Sequence, residues 1–155
     1  MKVAVIQMTC TIGDKNANFE KAAPMIEEAC QNGAKLIVLP ELFNTGYCCK
    51  DDWALAETGN DKTYEFLKYY TVKYDTSIMA GFIERSNVPG LVYNSVMYVH
   101  KNEKAKKVIL KEIKKDMTSL LSVWECITSI IMKEAEAQEN RWHSRGLKKH
   151  KKEQP

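Results

Sequence analysis

Two apolar runs separated by one helical stretch constrain this chain more than any other feature. Lys2–Met8 is β-branched and apolar, and predicts a central strand. Leu36–Leu39 is apolar at every position, the pattern of a short strand buried on both faces. Between them Phe19, Ala22, Ala23, Ile26, Ala29 and Cys30 recur at helical spacing and form one apolar face. Asn16 or Asn18 is expected to cap that helix at its start, and Asn32-Gly33 to end it. Pro24 lies inside the window and predicts either a kink or a later start. Strand, helix and strand in this order make a βαβ unit, so the two strands should be parallel.

Pro40 cannot donate a ladder hydrogen bond, so the second strand should stop there, with Glu41 at its carboxyl end. In open α/β sheets that edge is where ligands and catalytic groups gather. Leu42 and Phe43 stand beside Glu41, and desolvation by apolar neighbours suits a carboxylate to general-base work. The plainer alternative is a solvated loop carboxylate. Asn44-Thr45-Gly46 supplies turn chemistry. Tyr47–Asn60 reads as a long irregular segment. Asp61–Tyr74 reads as a helix with Phe66, Leu67, Tyr70 and Tyr74 inward. Ser77–Glu84 and Leu91–His100 read as a third and a fourth strand, joined as a hairpin by Asn87–Gly90.

Five stretches, in order, carry a resemblance. They are the first strand ending in Gln7, the run Gly13–Lys21, the Glu41 motif Pro40–Tyr47, Gly81-Phe82-Ile83-Glu84-Arg85, and Tyr93-Asn94-Ser95. Together they resemble the N-terminal portion of the carbon–nitrogen hydrolase (nitrilase) superfamily, over about residues 1–100. The resemblance implies an α/β fold, half of a nitrilase-type α-β-β-α sandwich. It also implies hydrolysis of a small amide or nitrile through a Glu-Lys-Cys triad and a thioester, with no metal or organic cofactor. Glu41 would be the general base. The family interval from Asn94 lands on Lys111 as the catalytic lysine. Its flanks, Ile109-Leu110 and Glu112-Ile113-Lys114, lack the family's aromatic-Arg-Lys pattern. Lys104, Lys106, Lys107, Lys114 and Lys115 lie nearby, so a solvated charge on a Lys-rich helix is the alternative. No nucleophile is identified. Cys126, in Val123–Thr128, lacks the Asp and Arg that follow the family's cysteine, and reads better as a half-buried thiol on a helix. Cys48 and Cys49 follow Glu41 closely but in the wrong part of the motif.

The two ends of the chain differ in character. Residues 1–100 carry 9 Lys+Arg and 12 Asp+Glu, a net of −3; residues 101–155 carry 14 and 8, a net of +6. The whole-chain net of +3 is too small to argue for a nucleic-acid partner. From Lys101 to Arg145 there is neither Gly nor Pro, and Ile109, Ile113, Met117, Leu120, Trp124, Ile127 and Ile131 step by three or four. The pattern predicts a long C-terminal amphipathic helix over 101–144, able to pack on its own sheet or to pair with another copy through residues 109–131. Residues 145–155 are expected to form a basic disordered tail. Five cysteines without a Cys-x-x-Cys pair argue against a disulfide framework or a zinc site. No strand is followed by a Gly-rich phosphate fingerprint. No signal-peptide pattern opens the chain, and Met117–Met132, interrupted by Glu125, is short for a membrane span, so a cytoplasmic protein is expected. Two functions follow: a hydrolase of this family, truncated and impaired because its nucleophile is missing, or a non-catalytic interaction protein or frameshifted remnant.

Overall fold

The computed structural model describes residues 1–47, 52–58 and 60–100, together with the backbone of residues 106–112. Five strands form one sheet in sequence order: β1 (Val3–Val5), β2 (Leu36–Val38), β3 (Ser77–Arg85), β4 (Val92–His100) and β5 (Lys106–Glu112). The strands β1, β2 and β3 run parallel, and β3, β4 and β5 antiparallel. Among the described residues three helices accompany them: α1 (Lys15–Gln31), α2 (Asp52–Leu55) and α3 (Lys62–Tyr74). The expected βαβ unit is present, with Ala4 opposite Ile37.

The helix α1 is capped two residues before Asn16 and four before Asn18. Asp14 is the N-cap, and its Oδ1 accepts from the Ala17 backbone N–H at 3.0 Å. Asn18 is instead fully buried on the inner face. Pro24 neither delays nor ends the helix, which closes at Asn32 with Gly33 at φ 80°. The apolar faces of α1 and α3 share one core with the sheet: Ala22 and Ile26, Leu67 and Tyr70, and then Ile37, Ile78, Phe82, Met97 and Val99. Each such large side chain contributes about 1.5–3 kcal/mol on burial. Phe19 stacks on Phe66 at 4.5 Å between centroids and binds the helices to each other.

Three expectations need correction. β1 is the edge strand of the sheet, not a central one, and Val3 and Val5 are exposed. Its β-branched composition reports a preference for extended backbone, not a place in the sheet. The segment after Tyr47 is not wholly irregular, for α2 forms within it and Glu57 bridges in parallel to Glu84 of β3. The long C-terminal helix does not begin where its apolar stripe does. Residues 109–112 belong to β5, whose Lys106–Glu112 backbone is laid along β4. The β-branched pair Val108-Ile109 and an open β4 edge outweigh the period of four. The rest of the predicted helix, the basic tail, Cys48, Cys49 and Cys126 lie outside the described residues. No helix among the described residues is long and apolar enough to cross a membrane.

Candidate functional site

The chain leaves β2 through Leu39 and Pro40 and turns at once. Thr45 N–H and Gly46 N–H both donate to the Leu42 carbonyl, at 3.1 and 2.7 Å. Leu42 takes a left-handed conformation, φ 48°, uncommon for a branched residue and a mark of strain. The reason lies in its neighbours. Phe43 enters the helix-side core against Phe19 and Phe66, while Leu42 joins Ala56, Ile83 and Val92 in a smaller cluster. The two side chains diverge about the sheet end, and the backbone between them must turn sharply.

Glu41 stands at the start of that turn, half-buried. Its Oε2 accepts from the Tyr47 hydroxyl at 2.9 Å, and its Oε1 accepts from Asn94 Nδ2 of β4. Gly81 of β3 forms the floor beneath it. A Cβ there would come within 2.8 Å of Glu41 Cα and 2.9 Å of Leu42 N. The strand must lack a side chain at this point for the turn to sit where it does. Tyr47 keeps its proton well into the alkaline range. Burial first, and then the hydrogen bond to Glu41, push its hydroxyl up to about 12, so it is a donor to the carboxylate at neutral pH.

The far end of the turn is held by a chain of buried polar contacts. Asn18 Nδ2 donates to the Thr11 and Asn44 carbonyls at 2.8 and 2.9 Å. Asn44 Nδ2 donates to Thr63 Oγ1 at 2.8 Å. Thr63 in turn donates to the buried Glu57 through both its hydroxyl and its backbone N–H, at 3.0 and 3.1 Å. Lys15 Nζ closes the chain on Glu57 Oε1 at 2.5 Å. Glu57 itself is clamped to β3, since its N–H donates to Ile83 and its carbonyl accepts from Arg85.

The other predicted site residues are distributed unevenly. Lys111 is on a strand, not on the helix that its lysine-rich neighbourhood suggested, and its backbone stands opposite Asn94. Glu84 is buried and accepts from Ser95 Oγ at 2.7 Å. By strand alternation it faces the side of the sheet opposite to Gly81 and Ile83. Cys10 Sγ donates to the Phe43 carbonyl at 3.3 Å. Burial pushes its thiol up, against the pull of Lys21. Cys30, in the last turn of α1, is also pushed up by burial and then by Glu27. Among the described residues no group of three or more His, Cys, Asp or Glu is arranged to hold a metal ion. The open groove lined by Asp14, Lys15, Leu55 and Lys62 does not include Glu41.

Sequence reasoning placed Glu41 at the end of the second strand, where it stands, and gave no role to the residues that hold it. Gly81 could have been found, because a glycine inside an apolar strand often marks close approach of another backbone. Asn94 carried a weaker signal, an amide in the middle of a strand. Nothing in the sequence marked Glu57 as buried.

Comparison with known proteins gives a consistent picture. Residues 2–122 match the carbon–nitrogen hydrolase family, past residue 100 and through β5. A nitrilase of Pyrococcus abyssi is 35% identical over 103 residues, which are 64% of this chain and 38% of that protein. An omega-amidase of Saccharomyces cerevisiae is 32% identical over 111 residues, 67% of this chain and 38% of that one. The chain thus spans about two fifths of the length of these relatives. Among solved structures, Nit3 of Saccharomyces cerevisiae, from branch 10 of the nitrilase superfamily, superposes with a TM-score of 0.63 at 27% identity. The match covers 70% of this chain and 43% of that one.

Proposed function

This chain belongs to the carbon–nitrogen hydrolase family, and on that footing we propose that Glu41 is the general base of a site that hydrolyses small amides or nitriles. The observation that carries the reading is the Glu41 carboxylate itself. It stands at the carboxyl end of β2 with a hydrogen-bond donor on each oxygen, from Tyr47 and Asn94. A base must be held before its basicity matters, and each oxygen here has a donor.

In the proposed reaction Glu41 takes the proton of a cysteine thiol and the thiolate attacks the substrate carbon. On an amide the tetrahedral oxyanion would be stabilised by Lys111. Glu41 returns that proton to the departing ammonia or amine, a nitrile's thioimidate first adding one water to reach the same tetrahedral adduct, and a further water hydrolyses the thioester to the acid, returning the thiol. No metal or organic cofactor enters this scheme. Neither described cysteine suits the nucleophile's part. Cys10 is engaged with the Phe43 carbonyl, and both Cys10 and Cys30 are shifted away from the thiolate. We therefore read the chain as keeping the base with no nucleophile beside it among the described residues, and so as impaired when acting alone.

Ammonia release from a panel of small amides and nitriles tests this, with wild type and Glu41→Gln compared. The expected result is weak hydrolysis at most, abolished by the substitution. Hydrolysis that survives in Glu41→Gln would sink the assignment of the base. Vigorous turnover by wild type would overturn the impairment.

A further inference from the structure

We propose that Asn94 is a positioning residue for Glu41, fixing the direction of its carboxylate and tying it to the point in the β4–β5 register opposite Lys111. The inference rests on the reading of Glu41 as the base, and extends it to a residue that does not touch the reacting atoms.

Four observations carry it. First, Asn94 Nδ2 donates to Glu41 Oε1. A carboxylate only accepts, so the amide has one possible orientation, nitrogen toward Glu41 and oxygen away. Second, that orientation leaves Asn94 Oδ1 buried without a hydrogen-bond partner among the described residues. An orphaned buried acceptor is costly, and a valine or threonine would fit a strand interior better. The position tolerates the orphan while the nitrogen holds Glu41. Third, Asn94 is anchored where Tyr47 is not. Strand β4 pairs with β3 along its whole length, Asn94 opposite Ile83, on the face where Ile83 meets Leu42. Tyr47 is exposed and follows the turn, so it can complete the contact but cannot set it. Fourth, the ladder between β4 and β5 shifts register between Asn94 and Ser95. Such irregularities re-aim a side chain and recur beside active sites. Here the shift falls at the residue holding Glu41, directly across from Lys111.

The distinguishing experiment uses isosteric replacement. Were Asn94 needed only for packing, Asn94→Asp would be milder than Asn94→Ala, because aspartate keeps the shape. As a donor aimed at a carboxylate, Asn94→Asp must be worse, because it sets one negative charge against another. Measured against the weak ammonia release of the wild-type chain, the expected result is a loss of roughly tenfold or more in kcat for Asn94→Ala, with KM little changed, and a larger loss for Asn94→Asp. The reverse order would overturn the proposal.

A second measurement needs no activity. In the ¹⁵N-labelled full chain, the Asn94 side-chain amide signals, identified by their disappearance in Asn94→Ala or Asn94→Asp, should change position at fixed pH in Glu41→Gln. Signals indifferent to Glu41→Gln would overturn the proposal, whatever the chain hydrolyses. Signals that respond, in a chain whose ammonia release survives Glu41→Gln, would uphold the tie between Asn94 and Glu41 and defeat the base reading instead.

Discussion

Two turns leave the same sheet, and their hydropathy is the reverse of their burial. The turn after β2 starts at Glu41 and closes with Asn44, Thr45 and Gly46, residues that usually face water, and all three are buried, the side chains of Asn44 and Thr45 completely. The hairpin turn between β3 and β4 carries Val88 and Pro89, and both are exposed. Both turns use a glycine at positive φ, Gly46 at 64° and Gly90 at 81°. Turn chemistry is therefore the same, and what differs is the partners. The hairpin needs to satisfy only itself, with Ser86 N–H and Leu91 N–H donating locally. The first turn is wedged between two clusters of core residues, so each polar group in it needs a counterpart from elsewhere in the chain. Asn18, Thr63, Asn94 and Tyr47 supply several of them. A turn held from several directions can keep a carboxylate in one orientation; a turn held only by itself has no such use.

The largest effect comes from the root of the buried network. Glu57→Ala leaves Lys15 without its partner and Thr63 without its acceptor. The expected cost is about 3 kcal/mol, at the low end for a broken buried pair because Lys15 remains partly exposed. It should lower the thermal midpoint by roughly 10 °C. A shift of only a degree or two would mean that the turn is held without the network.

Glycine-to-alanine substitution then separates the two turns by mechanism. In Gly81→Ala the new Cβ meets backbone atoms of Glu41 and Leu42 below 3.0 Å, and neither can swing away like a side chain. Overpacking of this kind costs about 2 kcal/mol. It should also displace Glu41, so any hydrolysis should fall further than stability does. In Gly90→Ala nothing lies within 4 Å, and the only penalty is the positive φ. That costs about 1 kcal/mol and should leave the site untouched. Denaturant midpoints at constant m-value measure both. Equal losses would remove the distinction between a turn packed on its neighbours and one standing free.

How much of this was legible in the sequence depends on whether a feature is local or assembled. The parallel pair β1–β2, the inward face of α3 and the β3–β4 hairpin follow from period, apolar content and turn residues, all visible within a few positions. So does Glu41 at a strand end. The strand β5 was misread because Ile109 lies in both a period-four stripe and a β-branched run, and the choice between them was made by β4, which the local pattern does not contain. The cap of α1 was misplaced by a few residues, since Asp14, Asn16 and Asn18 are all competent caps. Tertiary contact selected Asp14 and drew Asn18 inside to Thr11 and Asn44. Contacts such as Lys15 to Glu57, 42 residues apart, leave no trace in either local pattern.

The smallest expected effect is at the rim of the buried turn, where the comparison is tested most finely. Tyr47 is exposed in part, yet its hydroxyl is held against Glu41. Its ordinary value of 10.0 is raised to about 12, first by burial and then by that hydrogen bond. A group whose proton is held more tightly in the folded state contributes its full stability below the unfolded value. It loses that contribution as pH rises through the folded one. For Tyr47 the window runs from pH 10.0 to about 12. Within it the folded chain keeps a proton that the unfolded chain has released, so stability must fall as pH rises. Tyr47→Phe removes this component, and its stability should decline less steeply across the same window. At neutral pH, where that contribution is complete, the substitution should cost about 1 kcal/mol, the worth of one hydrogen bond at a partly exposed rim, because Glu41 keeps Asn94. Parallel pH profiles for the two proteins would show that the hydroxyl is not held at Glu41. The buried turn would then end at Gly46, one residue earlier than its hydrogen bonds indicate.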